Sequence, residues 1–310
     1  EVEPNPSVET VERAAALYGQ SGAQGLVAVG GGSAIDVAKG AGILASNPGP
    51  LTAYVGAGKV ANALPPLVAV PTTVGTGSEV TVSAVITVRA ERRKVVISSP
   101  FVAPRHALLD PDLVASLPPN LVATTGMDAL THAIESTIST LASPFSDALA
   151  LEAIRLIGGH LAAAVLGADA GARAHLLYAS TLAGMAFSNA RVGLVHGMAH
   201  PLGAYHDLPH GLANAILLPY VLAFNAPDCE PQLARVAAAL GQAAAADAAI
   251  AAVKRLGAQV GIPERLGQAG VTGAFIAEMA QDAFASANAQ VVNPRKPALA
   301  EVVALYEQAL

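Results

Sequence analysis

At Leu117-Pro118-Pro119 the hydrophobic rhythm of this chain changes, and the two sides demand different architectures. Before it, short apolar runs alternate with segments of helical spacing. Leu26–Val29, Leu67–Val70, Thr81–Val88, Val95–Ser98 and Ala107–Leu109 read as strands, and Val8–Tyr18 and Ala34–Ala45 as helices. The unbroken apolar run Leu26–Val29 is the kind buried on both faces of a parallel sheet. After it, from Asn120 to Leu310, long alanine and leucine patterns carry a helical period and no convincing strand. Helix breaks are predicted near Ala142–Pro144, Gly158-Gly159, Gly167–Gly171, Pro201, Pro209, Pro227 and Gly261–Pro263. The expectation is an α/β layered domain over 1–117 followed by an all-α domain over 118–310.

Composition supports two cores and excludes several classes. The 310 residues are 53% hydrophobic and 13% charged, which rules out a disordered chain. Such apolarity raises the question of a membrane span, but no stretch reads as reaching the ~20 apolar residues required. The longest candidate, Leu212–Ala226, is interrupted by Asn214, Pro219 and Asn225, and much of the excess is alanine. A net charge of −6 gives no general attraction for nucleic acid. The locally basic Arg89–Lys94 reads as a solvated turn between strands. The single cysteine, Cys229, cannot form an internal disulfide, so a reducing, cytoplasmic setting is expected, and no leader segment is read. The chain opens on Glu1, so the natural N-terminus is expected upstream.

Three groups of residues carry chemistry. Gly30-Gly31-Gly32-Ser33 joins a strand to a helix, with Asp36 and Lys39 one turn on. Glycines there let a pyrophosphate approach backbone N–H groups at the positive end of a helix; the plain alternative is a tight turn with Ser33 as N-cap. The run is neither the dinucleotide fingerprint G-x-G-x-x-G nor a P-loop. Pro71–Glu79 leaves the end of a buried strand, where open α/β sheets bind ligands, and its small hydroxyl residues suit a ribose and base or an ordinary polar loop. Asp128 and His132 stand at i and i+4 on one helix face, and four of the eight histidines, His196, His200, His206 and His210, fall within fifteen residues. A carboxylate with several imidazoles suits a divalent metal of borderline softness, zinc or ferrous iron.

Five blocks together resemble the iron-containing (group III) alcohol dehydrogenases: Gly30–Asp36, Pro71–Thr73 with Ser78–Thr81, Gly126–Glu135, His196–Gly203 with Pro209–Gly211, and Asn293–Arg295. The spelling is most similar to the family's lactaldehyde reductase and short-chain members. The resemblance spans nearly the whole chain and implies a dehydroquinate synthase-like fold, a Rossmann-like nucleotide domain before an all-α metal domain. It implies Asp128, His132, His196 and His210 as metal ligands, with Fe2+ expected and Zn2+ as the alternative. It implies His200 as a proton relay near the nicotinamide. For NAD(H) or NADP(H) it implies contacts from Asn5, Gly31, Gly32, Ser33, Thr72, Thr73, Val74, Gly75, Thr76, Val85 and Lys94. His206 and Asp207 depart from the commonest spelling and are read as wall or surface, not as ligands.

Against the family the chain also starts late. The resemblance implies that the first strands of the nucleotide domain, with the acidic residue that discriminates NAD from NADP, are absent, leaving that domain truncated. The expected activity is hydride transfer between a nicotinamide and a small alcohol, diol or corresponding aldehyde by a homodimer or larger homo-oligomer, without nucleic acid or membrane partners. Related readings are a maleylacetate reductase, which usually lacks the full ligand set, a dehydroquinate synthase-like enzyme, which needs a basic cluster not seen here, and a truncated inactive relative.

Overall fold

The computed structural model describes residues 2–91, 93–286 and 288–310; Glu1, Arg92 of the basic turn and Ala287 lie outside the described residues. The chain begins with an arm that meets the sheet through a parallel bridge between Ser7 and Thr87. Helix α1 (Val8–Ser21) starts at Ser7, whose hydroxyl accepts from the Thr10 N–H, and stops at Gly22 in the left-handed region. Strand β1 (Leu26–Gly30) runs into α2 (Gly32–Ser46). Then follow β2 (Gly56–Ala57), β3 (Leu67–Pro71), β4 (Ser83–Val88), β5 (Arg93–Ser98) and β6 (His106–Ala107).

These strands form two small sheets. One is parallel, in the order β1-β3-β6, with Leu26 opposite Leu67 and Gly30 opposite Pro71. The other is mixed: β5 lies between β2, its parallel neighbour, and β4, antiparallel from Ser83–Ser98 to Val88–Arg93. Helix α1 and α2 pack with β4 and β5 around Val11, Val37, Ile43, Ile86 and Ile97.

The double burial expected for β1 is not found. Ala28 packs with Ile35, Leu67 and Ala69, whereas Val27 and Val29 are 70% and 58% exposed. The reason is position: β1 is an edge strand paired to β3 alone, and among the described residues no element covers its second face.

From Pro119 onward the described residues hold helices and no strand. They are α3 (Pro119–Ile138), α4 (Pro144–Leu166), α5 (Ala170–Ala190), α6 (Leu194–Tyr205), α7 (His210–Ala239), α8 (Ala246–Gln259), α9 (Ile276–Ala285) and α10 (Leu299–Ala309). One continuous core joins them.

Two expected breaks are absent. Helix α4 passes through Gly158-Gly159, because Gly158 lies against Leu240 and a Cβ there would stand 2.9 Å from its Cδ2. Pro201 sits inside α6, whereas the break expected near Pro227 is found as a kink in α7 at Cys229, where the backbone leaves helical geometry. Uninterrupted, α4 reaches 23 residues, long and apolar enough by composition to cross a membrane, against the expectation that no stretch is. Its Asp147, Glu152, Arg155 and His160 interrupt the apolar pattern in the sequence. Here it packs between its neighbours as a core helix, with Ile154, Ile157 and Leu161 fully buried.

Candidate metal and nucleotide site

A cleft of about 610 Å³ separates the two architectures. Asn5, Gly32, Ser33, Thr76, Val85 and Lys94 line it from the α/β side, and Asp128, His132, His196, His200 and His210 from the helical side. Three helices converge there. Asp128 and His132 lie one turn apart on α3, His196 and His200 one turn apart on α6, and His210 opens α7.

One ligand atom from each of Asp128, His132 and His196 falls within 4.8 Å of the others, and all three residues are buried. The Asp128 Oδ1 stands 4.0 Å from His196 Nε2 and 3.9 Å from His210 Nε2. Burial holds His132 below, and His196 and His210 well below, their ordinary values, so all three are neutral imidazoles with lone pairs to offer. The same burial raises Asp128.

The donor set fits a divalent cation on the structure's own terms. Asn214, one turn after His210 and fully buried, points its Nδ2 at Asp128 Oδ1 (2.6 Å), His196 Nε2 (3.1 Å) and His210 Nε2 (3.1 Å). Two amide hydrogens cannot serve three acceptors, whereas a cation can. His132 Nδ1 is buried without a hydrogen-bond partner.

Behind these candidate ligands stands a second layer. His196 Nδ1 lies 2.5 Å from Glu135 Oε2, which turns Nε2 toward Asp128. Glu135 Oε1 accepts the Val195 N–H at 2.7 Å, and Asn293 Oδ1 accepts the Leu194 N–H at 3.2 Å. The first turn of α6 is thus capped by two side chains remote in sequence. Asn293 is itself held by Asn225 Nδ2 at 3.0 Å. Burial pushes Glu135 up to about 8.

The nucleotide corner is built differently. Gly31, not Ser33, is the N-cap of α2, and no side chain caps that turn. Its N–H groups at Gly32 and Ser33 therefore face the cleft uncovered. A Cβ on Gly32 would lie 2.8 Å from Thr76 Cγ2, so only glycine gives this close approach. The fit to a pyrophosphate is one of backbone shape and helix dipole.

Below it, Lys39 is fully buried and donates to Ser78 Oγ (3.1 Å), Thr81 Oγ1 (2.9 Å) and the Ser83 carbonyl (2.7 Å). Asp36 lies 3.9 Å from that ammonium and accepts from Ser78 Oγ and the Val85 N–H. Burial brings Lys39 down to about 8 and raises Asp36.

The remaining expected residues divide. Lys94 is turned into the cleft, its Nζ 3.3 Å from where a Cβ on Gly203 would stand, so the solvated-turn reading fails for this residue. Its pKa is lowered by burial, against the pull of Asp128 and Asp207. Asn5 lines the cleft with a left-handed backbone, its carbonyl accepting from Thr87 Oγ1. Gly31, Thr72, Thr73, Val74 and Gly75 sit behind the lining: Val74 is fully buried in the helical core, and Thr73 packs under Gly31. His200 faces Lys94 and His210, its ring stacked on His210 at 5.3 Å; burial and then Lys94 bring it to about 4. His206 is turned away, Nε2 at 3.3 Å from the Ala274 carbonyl.

Fold and site together define a nucleotide-cleft enzyme with a histidine-rich metal corner. Family models match almost end to end: "Iron-containing alcohol dehydrogenase" over residues 1–111 and "Fe-containing alcohol dehydrogenase family, C-terminal" over 122–310. The chain belongs to the iron-containing alcohol dehydrogenase family and is an oxidoreductase of that family. It is 45% identical to the 1,3-propanediol dehydrogenase of Klebsiella pneumoniae over 99% of this chain and 81% of that protein. The lactaldehyde reductase of Escherichia coli K12 is 41% identical (99% and 82%), and the NAD-dependent methanol dehydrogenase of Bacillus methanolicus 37% (99% and 83%). A crystal structure of 1,3-propanediol oxidoreductase superposes with a TM-score of 0.96 at 44% identity, covering 100% of this chain and 83% of that one.

Proposed function

We propose that this chain is a metal-dependent, NAD(H)-linked dehydrogenase that interconverts a small alcohol or diol with its aldehyde. The observation that carries the reading is Asn214 Nδ2 at the centre of Asp128, His196 and His210, with three acceptors where it can satisfy two. Asp128, His132, His196 and His210 would hold the ion, with Fe2+ preferred and Zn2+ the alternative. Gly32 and Ser33 would hold the pyrophosphate, while Thr72–Thr76, Val85, Lys94 and Asn5 shape the rest of the nucleotide pocket. When bound, a divalent ion supplies Lewis acidity that lowers the pKa of the substrate hydroxyl, and the nicotinamide supplies the hydride acceptor.

The chain's own residues do the rest. His200, neutral above about pH 4, takes the hydroxyl proton on an imidazole nitrogen and hands it to the mouth of the cleft. Phe187, stacked on His132 at 4.4 Å, excludes water from one side of the reacting centre. Glu135 fixes the His196 tautomer. The same proposal places the division between nucleotide and metal domains at 117/118, a homodimer or larger homo-oligomer in solution, and a cytoplasmic location. Cys229 is buried, with its thiol pushed up to about 12, and so is inert to oxidation. NADP(H) remains the alternative coenzyme.

The test is oxidation of 1,2-propanediol, ethanol and butan-1-ol with NAD and with NADP, on protein stripped by chelator and reloaded with Fe2+ or Zn2+. Turnover restored by one of these ions, and absent from the stripped protein, is expected. Equal turnover before and after stripping would overturn the metal reading.

A further inference from the structure

One corner of the cleft carries polar groups that neither the metal nor the nucleotide uses. Helix α5 ends at Arg191, whose φ of 62° and ψ of 178° belong to a region essentially reserved for glycine. An arginine held there sets the direction of its side chain against the preference of its own backbone. The Arg191 N–H is fixed on the Phe187 carbonyl at 2.7 Å, and Phe187 is the residue stacked on His132. Arg191 lines the cleft, is exposed to it, and forms no hydrogen bond or ion pair through its guanidinium among the described residues.

Two other residues lining the cleft share this condition. Ser188, in the last turn of α5, lines the cleft with its Oγ buried and without a partner. Asn288 lines the same cleft, its Cβ 3.7 Å from where a Cβ on Gly197 would stand, with no hydrogen bond to its side-chain amide among the described residues. The carboxylates of the cleft are already engaged: Asp36 by Ser78, the Val85 N–H and Lys39, and Asp128 by Asn214 and the histidines. A guanidinium, a hydroxyl and an amide, all unpaired among the described residues and lining the same cleft as Asp128 and the histidines, offer donors to an anion.

We propose that Ser188, Arg191 and Asn288 form a carboxylate-binding subsite, so that the preferred substrate is a short-chain hydroxy acid or its semialdehyde rather than a neutral diol. This rests on the dehydrogenase reading above and names its substrate class. The hydroxyl carbon would sit at the metal corner and the carboxylate, a few bonds away, on Arg191.

The experiment compares 4-hydroxybutanoate with its neutral analogue 1,4-butanediol in the wild type, Arg191→Gly, Arg191→Lys and Ser188→Ala. Glycine suits the backbone at this position, so that variant is expected to fold. In the wild type kcat/KM for the acid should exceed that for the diol at least tenfold. Arg191→Gly should lower the acid-to-diol ratio at least tenfold, mainly through KM; Arg191→Lys should restore part of it, and Ser188→Ala should lower it about threefold. A ratio unmoved by Arg191→Gly, or a wild type that prefers the diol, would overturn the subsite. So would a rise in KM for NAD with the ratio unchanged, which would give the arginine to the coenzyme. If neither substrate turns over with any metal and coenzyme, the dehydrogenase reading has failed, and butanoate titration by calorimetry then decides the subsite separately. Binding weakened at least tenfold in Arg191→Gly supports it; equal binding, or none by the wild type, refutes it.

Discussion

The two walls of the cleft achieve their geometry by opposite means. On the helical wall each proposed metal ligand is a side chain on a helix, and the most constrained of them, His196, is backed by Glu135 while its helix is capped by Glu135 and Asn293. On the α/β wall the recognition surface is backbone: the uncapped first turn of α2, brought close to Thr76 because Gly32 has no side chain. Metal ligation needs donor atoms placed to fractions of an ångström, which only locked side chains supply. Pyrophosphate binding needs several N–H groups in one direction, which a helix end supplies wherever it points. The helical wall should therefore fail through lost side chains, and the α/β wall through lost support for its backbone.

The largest effect tests that support. Asp36→Ala leaves the Lys39 ammonium without its carboxylate in a fully buried position and should cost about 3 kcal/mol in chemical denaturation. Asp36 holds the Lys39 pKa up to about 8, so without it the ammonium sheds its proton at lower pH, and the loss should shrink as pH rises toward 8. Replacing both residues by apolar ones of similar size should recover most of it. A single Asp36→Ala within 0.5 kcal/mol of wild type, on the order of a neutral surface change, would show that the network is not what holds α2 to β4.

Next comes Glu135→Gln, which keeps the shape but weakens the hold on His196 Nδ1. Its expected signature is a metal affinity lowered by about 10- to 100-fold, with the melting temperature of the stripped protein changed far less. Equal loss in stability and affinity would make Glu135 a plain core residue.

The smallest effect concerns the arm that carries Asn5. Glu3 accepts from Thr10 Oγ1 at 2.7 Å and from Ser7 Oγ at 3.0 Å, and these bonds lower it to about 2 from 4.5. A depressed carboxylate contributes above its unfolded value and loses the contribution as pH falls through its folded one. Exchange of the Thr87 N–H, bonded to the Pro6 carbonyl, should therefore quicken between pH 4.5 and 2 beyond the intrinsic trend. Glu3→Gln should remove that extra pH dependence, and amides of α6 should be indifferent to the substitution.

The sequence made the metal corner legible because its signal is compositional: four histidines within fifteen residues of a charge-poor region point to a shared ligand. It also showed the glycine turn, since a strand followed by glycines and a helix is a local pattern. Glu135 and Asn214 were hidden for the reason that makes them effective. Neither belongs to a recognisable ligand pattern, and only tertiary packing shows that it faces a histidine. Spacing held one clue, Asn214 one turn after His210 and Glu135 one turn after Thr131-His132. The misplaced breaks at Gly158-Gly159 and Pro201 share a cause as well: local propensity yields where a neighbouring helix packs on the segment. The bare face of β1 was beyond pattern reading, because an apolar run does not say how many layers cover it.

If three imidazoles and one carboxylate hold a single ion, as proposed, His210 is the most exposed of the four, with 29% of its side chain accessible. X-ray absorption at the metal edge, on protein reloaded with Fe2+ or Zn2+ without coenzyme, counts imidazole ligands directly. Three are expected in the wild type and two in His210→Ala, with weaker retention of the ion in the variant. Two imidazoles in both proteins would place His210 outside the metal site.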